Sequence, residues 1–343
     1  MKRFLYAMLC VVLLAGQAGA WRGEVGWTFQ AGSGLTSGIA VAGGLVLVGD
    51  GSGVLYAVQR ASGQQAWAYQ GTNTIVGTPS VAEDNVIFAQ ADGTLTCLRL
   101  SDGSVVWQSL AAESGSETLT DGTAMGGGRV FFVKGDGRLH ALSVTDGKPL
   151  WTYESSQELR SAPAFGEGSL LLGDQGGVFS VLDPKNGHRL TGGGAGGAIN
   201  TPSISEGSVF FSSWDGSVQR VRLKGNIPQW KVNVEDPVTT SPTVAGGKVF
   251  VGTARGNIAA MDAKNGKILW QFNTQGGNVM AQPVVGEGMV FAGGGQGVLS
   301  ILNAATGKLL SSFTTGAGIS GTPAFEGGVL YLGSEDGNLY AIM

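Results

Sequence analysis

Short runs of alternating apolar and small or polar residues, separated by turn-forming glycine, asparagine and aspartate, recur along most of the chain. The segment 241–272 contains four such runs, which we expect to be strands: 241–244, 248–252, 258–261 and 268–272. The Gly-Gly and Asn-Gly pairs between them favour tight hairpin turns. Four antiparallel strands in about 40 residues are typical of one blade of a β-propeller.

Three markers repeat with this period. Tryptophan is the clearest, and Leu190 and Leu310 continue its spacing where tryptophan is absent: Trp27, Trp67, Trp107, Trp151, Trp230 and Trp270. A turn glycine recurs at 53, 93, 137, 177, 216, 256, 297 and 337, and a proline lies near the start of most units. The repeat predicts an all-β fold, an eight-bladed β-propeller of four-stranded antiparallel blades. Each tryptophan is expected to be wedged between neighbouring blades.

The repeat begins and ends inside a blade. Trp27 belongs to a fourth strand with no three strands before it, whereas the sequence after Pro323 supplies three strands and then ends. We therefore expect residues 24–30 to complete the eighth blade, which closes the ring and removes two open strand edges. Residues 21–343 are expected to form a single propeller.

The N-terminal residues have the pattern of an export signal. Two basic residues precede an apolar stretch over 4–15, and small residues at 18–20 suit a cleavage site. Residues 1–20 are therefore predicted to be a secretory signal peptide, cleaved before Trp21. The apolar stretch is too short for a transmembrane helix, and no later stretch reaches about 20 apolar residues. We expect a periplasmic protein without a transmembrane segment, peripheral to the outer membrane at most.

Charge and composition argue against nucleic-acid and nucleotide binding. The chain has 21 basic and 25 acidic residues, so it lacks the basic surface of nucleic-acid-binding proteins. Glycine accounts for 60 of the 343 residues, so Gly-x-Gly-x-x-Gly strings such as 192–197 and 316–321 are expected by chance. The second string is followed by the start of a strand, whereas a nucleotide site requires a helix there.

Candidate catalytic and metal-binding residues are sparse. The two histidines, His140 and His188, have no cysteine pair near them and give no zinc signature. Cys97, the one thiol left after signal cleavage, is interpreted as a small buried residue on a strand. Aspartates that precede the repeated glycines are interpreted as turn formers: Asp92, Asp136, Asp215 and Asp336. The sequence therefore predicts no catalytic residue, no metal site and no cofactor.

The strongest repeat unit carries a family resemblance. Segment 260–270, which reads Ala-Met-Asp-Ala-Lys-Asn-Gly-Lys-Ile-Leu-Trp, resembles the tryptophan-docking repeat of the pyrroloquinoline-quinone (PQQ) dehydrogenase superfamily, and 141–151 is a weaker copy. Within that superfamily the short, loop-poor units are similar to the BamB family of the outer-membrane β-barrel assembly machinery. The resemblance implies a non-catalytic scaffold, monomeric within a complex, that docks onto BamA-like periplasmic domains and helps present nascent β-barrel proteins.

A local match suggests which residues contact the partner. Segment 159–163, Leu-Arg-Ser-Ala-Pro, is similar to the segment through which BamB-type proteins contact BamA, and this implies that Leu159 and Arg160 are partner-contact residues. We expect both to be exposed, as an apolar anchor beside a forked hydrogen-bond donor. Two features differ from the family: segment 197–200 reads Gly-Ala-Ile-Asn instead of carrying an acidic pair, and the lipid-anchor cysteine is missing.

Two alternatives remain open. The first is an exported propeller that acts as a ligand sensor or as a scaffold in another envelope complex. The second is a PQQ-dependent dehydrogenase. The superfamily resemblance implies that such an enzyme builds its cofactor site from insertions, a vicinal cysteine pair and calcium-binding carboxylates. Units of about 40 residues leave little room for such insertions, and Cys97 has no neighbouring cysteine.

Overall fold

Strands provide all the regular secondary structure in the described part of the chain. The structure is a computed structural model that describes residues 21, 23–109, 122–159, 161–194 and 196–343. The predicted signal peptide, residues 1–20, therefore lies outside the described residues. Thirty-two strands form eight antiparallel sheets of four strands each. The predicted eight-bladed all-β propeller is confirmed.

The first four blades follow one another along the chain, each with its four strands in sequence order. The strands of blade 1 are β2 (Ala40–Ala42), β3 (Leu45–Gly49), β4 (Val54–Gln59) and β5 (Gln65–Gln70). Those of blade 2 are β6 (Ile75–Ala82), β7 (Asn85–Gln90), β8 (Leu95–Arg99) and β9 (Val105–Ser109). Those of blade 3 are β10 (Ala124–Gly126), β11 (Arg129–Val133), β12 (Leu139–Ser143) and β13 (Pro149–Tyr153). Those of blade 4 are β14 (Ala164–Gly166), β15 (Ser169–Gly173), β16 (Val178–Leu182) and β17 (Arg189–Gly194).

The remaining blades keep the same order, except that the last one is built from both ends of the chain. The strands of blade 5 are β18 (Ser203–Ser205), β19 (Ser208–Ser212), β20 (Ser217–Arg222) and β21 (Ile227–Asn233). Those of blade 6 are β22 (Thr243–Ala245), β23 (Lys248–Gly252), β24 (Asn257–Asp262) and β25 (Ile268–Asn273). Those of blade 7 are β26 (Val284–Gly286), β27 (Met289–Gly293), β28 (Val298–Asn303) and β29 (Leu309–Thr314). Those of blade 8 are β30 (Ala324–Glu326), β31 (Val329–Gly333), β32 (Asn338–Ile342) and β1 (Val25–Gln30).

Burial within a blade follows the strand order. In blade 6 the first strand is half-buried, the second and third are buried along most of their length, and the fourth alternates between half-buried and exposed residues. The apolar second and third strands of adjacent blades pack against each other, as Phe250 and Ile258 of blade 6 do with Val290 and Leu302 of blade 7. The hydrophobic core therefore lies between the blades, in a ring around the central channel.

The N-terminal strand closes the ring. Strand β1 pairs antiparallel with β32 and is the outermost strand of blade 8. Beyond the strands, the backbone N–H of Glu24 donates to the carbonyl of Met343 at 3.0 Å, and the N–H of Met343 donates back at 2.8 Å. The closure predicted from the phase of the repeat is confirmed.

The repeated tryptophans lie against the turn between the third and fourth strands of the next blade. The indole N–H of Trp67 donates to the carbonyl of Leu100 at 2.9 Å, and the other five tryptophans make the same contact at 2.7–3.2 Å. The ring covers the turn glycine so closely that a Cβ on Gly103 would lie 2.7 Å from the Trp67 ring. Each indole therefore joins two blades through a hydrogen bond and through packing.

The alignment of Leu190 and Leu310 with the tryptophans is wrong by one residue. Ala141 pairs with Trp151, and the same register places Thr191 opposite Val181 and Ser311 opposite Ile301. Both leucines are the extra residue of a β-bulge, and their exposed fractions are 62% and 50%. A bulge turns its extra residue away from the regular alternation, so these side chains face solvent.

Candidate functional site

A cavity of about 380 Å³ opens at the central channel on the face that carries the loops between blades. We call it the mouth cavity. It is lined mainly by hydroxyl-bearing residues and glycines of the inter-blade loops, with Met280 as a large apolar exception. Threonines from several blades contribute: Thr36, Thr78, Thr123, Thr201, Thr239, Thr240 and Thr322. The described lining residues carry no charged side chain, so the mouth cavity is neutral and polar.

A second cavity of about 230 Å³ adjoins the mouth cavity between blades 4, 5 and 6. We call it the side cavity. The two cavities share Thr201, Thr239 and Ser241, so they form one continuous depression. Trp214, in the turn between β19 and β20, lines the side cavity, and 57% of its surface is exposed. Ser161, the residue after Arg160, lines the same cavity.

Each inter-blade loop that the structure describes at this position, seven in all, is fixed by one buried apolar residue. In blade 4 this residue is Leu159, whose backbone bridges to Asp174 and whose N–H donates to the carbonyl of Gly137 at 3.2 Å. Buried residues at the matching positions of other blades recur about every 40 residues: Leu35, Ile75, Ile199, Val238, Val279 and Ile319. Leu159 is thus part of the repeat and not a deviation from it.

The expectation that Leu159 is exposed is wrong. Its side chain is 1% exposed and packs into the core between blades 3 and 4. Buried apolar residues recur at this spacing in the sequence, and that periodicity could have revealed the position. Arg160 lies outside the described residues. In blade 2 the residue that follows the buried position, Val76, packs against the core, whereas in five other blades that residue lines one of the two cavities: Thr36, Asn200, Thr239, Met280 and Ser320.

Sequence reasoning missed Trp214 as a candidate functional residue. Turns between second and third strands carry a small or polar residue at the matching position of the other seven blades: Gly51, Ala91, Gly135, Gln175, Ala254, Gly295 and Glu335. Trp214 therefore departs from the repeat where the chain faces solvent beside a cavity. Its backbone N–H donates to the carbonyl of Ala198 at 3.3 Å, which ties the turn to the inter-blade loop.

Comparison with known proteins identifies the family. The sequence model of the family described as outer membrane protein assembly factor BamB matches residues 17–121, 101–190 and 193–343. The chain belongs to this family. BamB of Shewanella oneidensis is 27% identical over 118 residues, which cover 32% of this chain and 30% of that relative. The alignment thus spans less than a third of the curated BamB's length.

A solved structure and a second relative extend the comparison. The crystal structure of BamB from Moraxella catarrhalis matches with a TM-score of 0.81 at 18% identity, covering 93% of this chain and 98% of that one, which shows the shared fold. The quinone-dependent 1-butanol dehydrogenase of Thauera butanivorans is 60% identical over 37 residues, 11% of this chain and 6% of that enzyme. This second match is shorter than one blade. In the described residues, no helix is long and apolar enough to cross a membrane.

Segment 197–200, where the BamB family resemblance leads us to expect an acidic pair, is neutral and has a structural role here. Ile199 is buried and bridges to Ser213. The side-chain amide of Asn200 donates to the carbonyl of Val238 at 3.0 Å and to the hydroxyl of Ser212 at 3.1 Å. Asn200 therefore holds the loops that enter blades 5 and 6 together, and the carboxylate nearest to this segment is the turn residue Asp215, beside Gly197.

The described residues at the mouth do not fit the cofactor site of a PQQ dehydrogenase. The described residues that line the two cavities include no carboxylate and no cysteine, whereas the family resemblance implies that a PQQ site has a calcium-binding carboxylate set and a vicinal cysteine pair. Cys97 is buried on β8, as expected, and its burial raises the pKa of the thiol to about 11. Among the described residues, no group of three or more histidines, cysteines and carboxylates could hold a metal ion.

The histidines and turn aspartates lie in structural surroundings. His140 contacts Asp136 at 3.2 Å and stacks on Phe132, and His188 is exposed in a turn. Asp336 accepts hydrogen bonds from the N–H of Asn338 and from the hydroxyl of Tyr340. Burial alone would raise the pKa of Asp336, but these hydrogen bonds and one from Gly316 outweigh burial and lower it. The interpretation of such aspartates as turn formers is confirmed.

Proposed function

We propose that this protein is a non-catalytic scaffold, a BamB-like component of the outer-membrane β-barrel assembly machinery. In this proposal the signal peptide directs it to the periplasm, where it docks onto BamA-like periplasmic domains and helps present nascent β-barrel proteins. Membership of the BamB family is the observation that carries the proposal. The neutral cavities, which lack the carboxylates of a quinone site, support a binding role.

The proposed docking surface is the face that carries the mouth and side cavities. Arg160 is proposed as a direct contact, because residues at its repeat position in five other blades line those cavities and because arginine can bind a carboxylate with two hydrogen bonds. Leu159 is proposed to act through position. Its burial fixes the backbone of the inter-blade loop immediately before Arg160.

Calorimetry with the periplasmic domains of BamA from the same organism tests this proposal. The mature protein, residues 21–343, is titrated beside Arg160→Glu and a matched control, Lys185→Glu. Lys185 is an exposed residue of blade 4 on the opposite face, in the turn between β16 and β17. We expect the mature protein and the control to bind equally, and Arg160→Glu to lose binding while keeping the melting temperature of the parent.

One observation favours a second candidate function. The neutral segment 197–200, with Asn200 bonded inside the protein, departs from the acidic pair expected from the family resemblance. An exported propeller that senses a ligand or serves another envelope complex would not need that pair. If the mature protein fails to bind the BamA domains in the calorimetry, the BamB-like role is rejected and this second candidate replaces it.

A further inference from the structure

Trp214 has the properties of a binding anchor. It is the one tryptophan among the large hydrophobic residues found exposed in the described part of the chain, and the matching turns of the other blades carry small or polar residues. Exposing an indole to water is unfavourable unless a partner covers it. Tryptophan and arginine are also the residues most enriched at the energetic centres of protein interfaces.

The surroundings of Trp214 define what could cover it. The described lining of the side cavity has no charged side chain, and the Asp215 carboxylate at its edge already lies 3.9 Å from the Lys231 ammonium, so a charged group placed in the cavity would lose hydration without a new counter-charge. The amide of Gln175 and the hydroxyls of Thr201 and Ser241 make no hydrogen bond within the described part of the chain. These groups can donate to and accept from the backbone of an extended peptide.

A second exposed apolar residue lies farther along the same depression. Met280 lines the mouth cavity and is 49% exposed, and this cavity joins the side cavity at Thr201, Thr239 and Ser241. Methionine, like tryptophan, is enriched at protein interfaces. Trp214 and Met280 thus offer two apolar contacts, and the neutral, hydroxyl-lined cavities connect them. This arrangement suits an extended polypeptide, whose apolar side chains are linked by uncharged backbone.

We propose that Trp214 is the apolar anchor of the partner-docking surface, and that it receives an extended, uncharged segment of the partner protein with an apolar side chain against the indole. This inference rests on the proposed function, because the partner is taken to be the BamA-like domain. It adds a contact that the local sequence match at 159–163 does not include. Ser161, which belongs to that matched segment, lines the same cavity as Trp214.

The main test compares variants of the mature protein for affinity to the BamA periplasmic domains. Trp214→Ala is expected to weaken binding by about 30-fold or more, the size of an interface hot spot. Trp214→Phe is expected to recover part of the loss. The control Leu310→Ala removes a hydrophobic side chain of similar exposure, 50%, from the outer rim of blade 7 and is expected to change nothing. Equal affinity for Trp214→Ala and the parent overturns the anchor while leaving the proposed function in place.

A second measurement does not depend on BamA. The indole N–H signal of Trp214 in a nitrogen–proton correlation spectrum, assigned by its loss in Trp214→Phe, is followed while a capped Ser-Leu-Thr-Leu-Ser peptide is added. A saturable shift with this peptide, but not with a Ser-Glu-Thr-Lys-Ser analogue, supports a polypeptide anchor even if the BamA domains do not bind and the proposed function fails. No shift, or a shift only with a cell-wall glycan fragment, overturns the inference.

Discussion

At the scale of single residues, tryptophan docking determines where glycine is required. The turn that receives each indole has a glycine with positive φ, such as Gly103 at +73°. Two constraints coincide there, because the backbone conformation disfavours a side chain and the Trp67 ring occupies the space that a Cβ would need. Glycine at this position is therefore needed both for the turn and for contact between blades.

Gly103→Ala separates these two constraints when it is compared with Gly246→Ala. Gly246 also has positive φ, at +54°, but a Cβ there would meet nothing within 4 Å. We expect Gly246→Ala to cost about 1–2 kcal/mol of unfolding free energy through the backbone alone. Gly103→Ala should cost about 1–3 kcal/mol more, because it must displace the indole. Denaturant unfolding of both variants checks this, and equal losses would contradict the docking role.

Single residues also show the limits of reading this sequence. The spacing of the tryptophans correctly located the period, but it could not reveal that the residue before each of them is bulged out of the strand register. Leu190 and Leu310 were therefore aligned one residue away from Thr191 and Ser311. The local match at 159–163 predicts an exposed contact at Leu159, whereas its apolar periodicity indicates the core, where the residue lies.

At the scale of elements, ring closure depends on the N-terminal segment. Strand β1 supplies the outer strand of blade 8, and Trp21 packs edge-on against Phe291 with ring centroids 5.4 Å apart. Phe291 of blade 7 matches Phe250 of blade 6 in the strand register, and Phe250 packs on Trp270. Blade 7 has Ser311 at the position where blade 6 has Trp270. The N-terminal residue Trp21 therefore supplies the aromatic ring that packs on Phe291 there.

Deleting residues 21–31 should lower the melting temperature sharply, because it removes both β1 and Trp21 and leaves β32 as an open edge. Thermal unfolding of the deletion variant measures the loss. Adding the 21–31 peptide in trans is expected to restore part of the stability, which controls for nonspecific damage. A deletion variant that melts within a degree or two of the parent would contradict closure by this strand.

The ends of the strands are easier to predict from the sequence than the exposure of the loop residues between them. In blade 6 the strand at 248–252 was predicted to the residue, and the others differ by one or two residues at their ends. Turn-forming pairs fix where these short strands stop, so local sequence is enough. Which loop residues reach the surface depends on contacts between blades, as with Leu159 and Gly137, and alternation within one strand does not contain that information.

At the scale of the whole molecule, the face that carries the inter-blade loops is neutral at its cavities and charged around them. The inter-blade loops surround neutral cavities with Trp214 and Met280 exposed beside them. Outside the cavities, the same loops and turns carry exposed charged residues such as Glu154, Arg255 and Glu335. The repeat in the sequence predicted the ring, but not this arrangement, because it arises where the blades depart from one another. A partner that docks over the cavities would leave the turns of the opposite face free.

Whether the partner docks over the two cavities is tested most directly by hydrogen exchange of the mature protein, with and without saturating BamA periplasmic domains. We expect slower exchange in the loops and turns that surround the two cavities, at 157–163, 198–201 and 213–216. The turns of the opposite face, such as 183–188, should exchange at the same rate in both samples. Protection confined to the opposite face or to the outer strands would contradict the account.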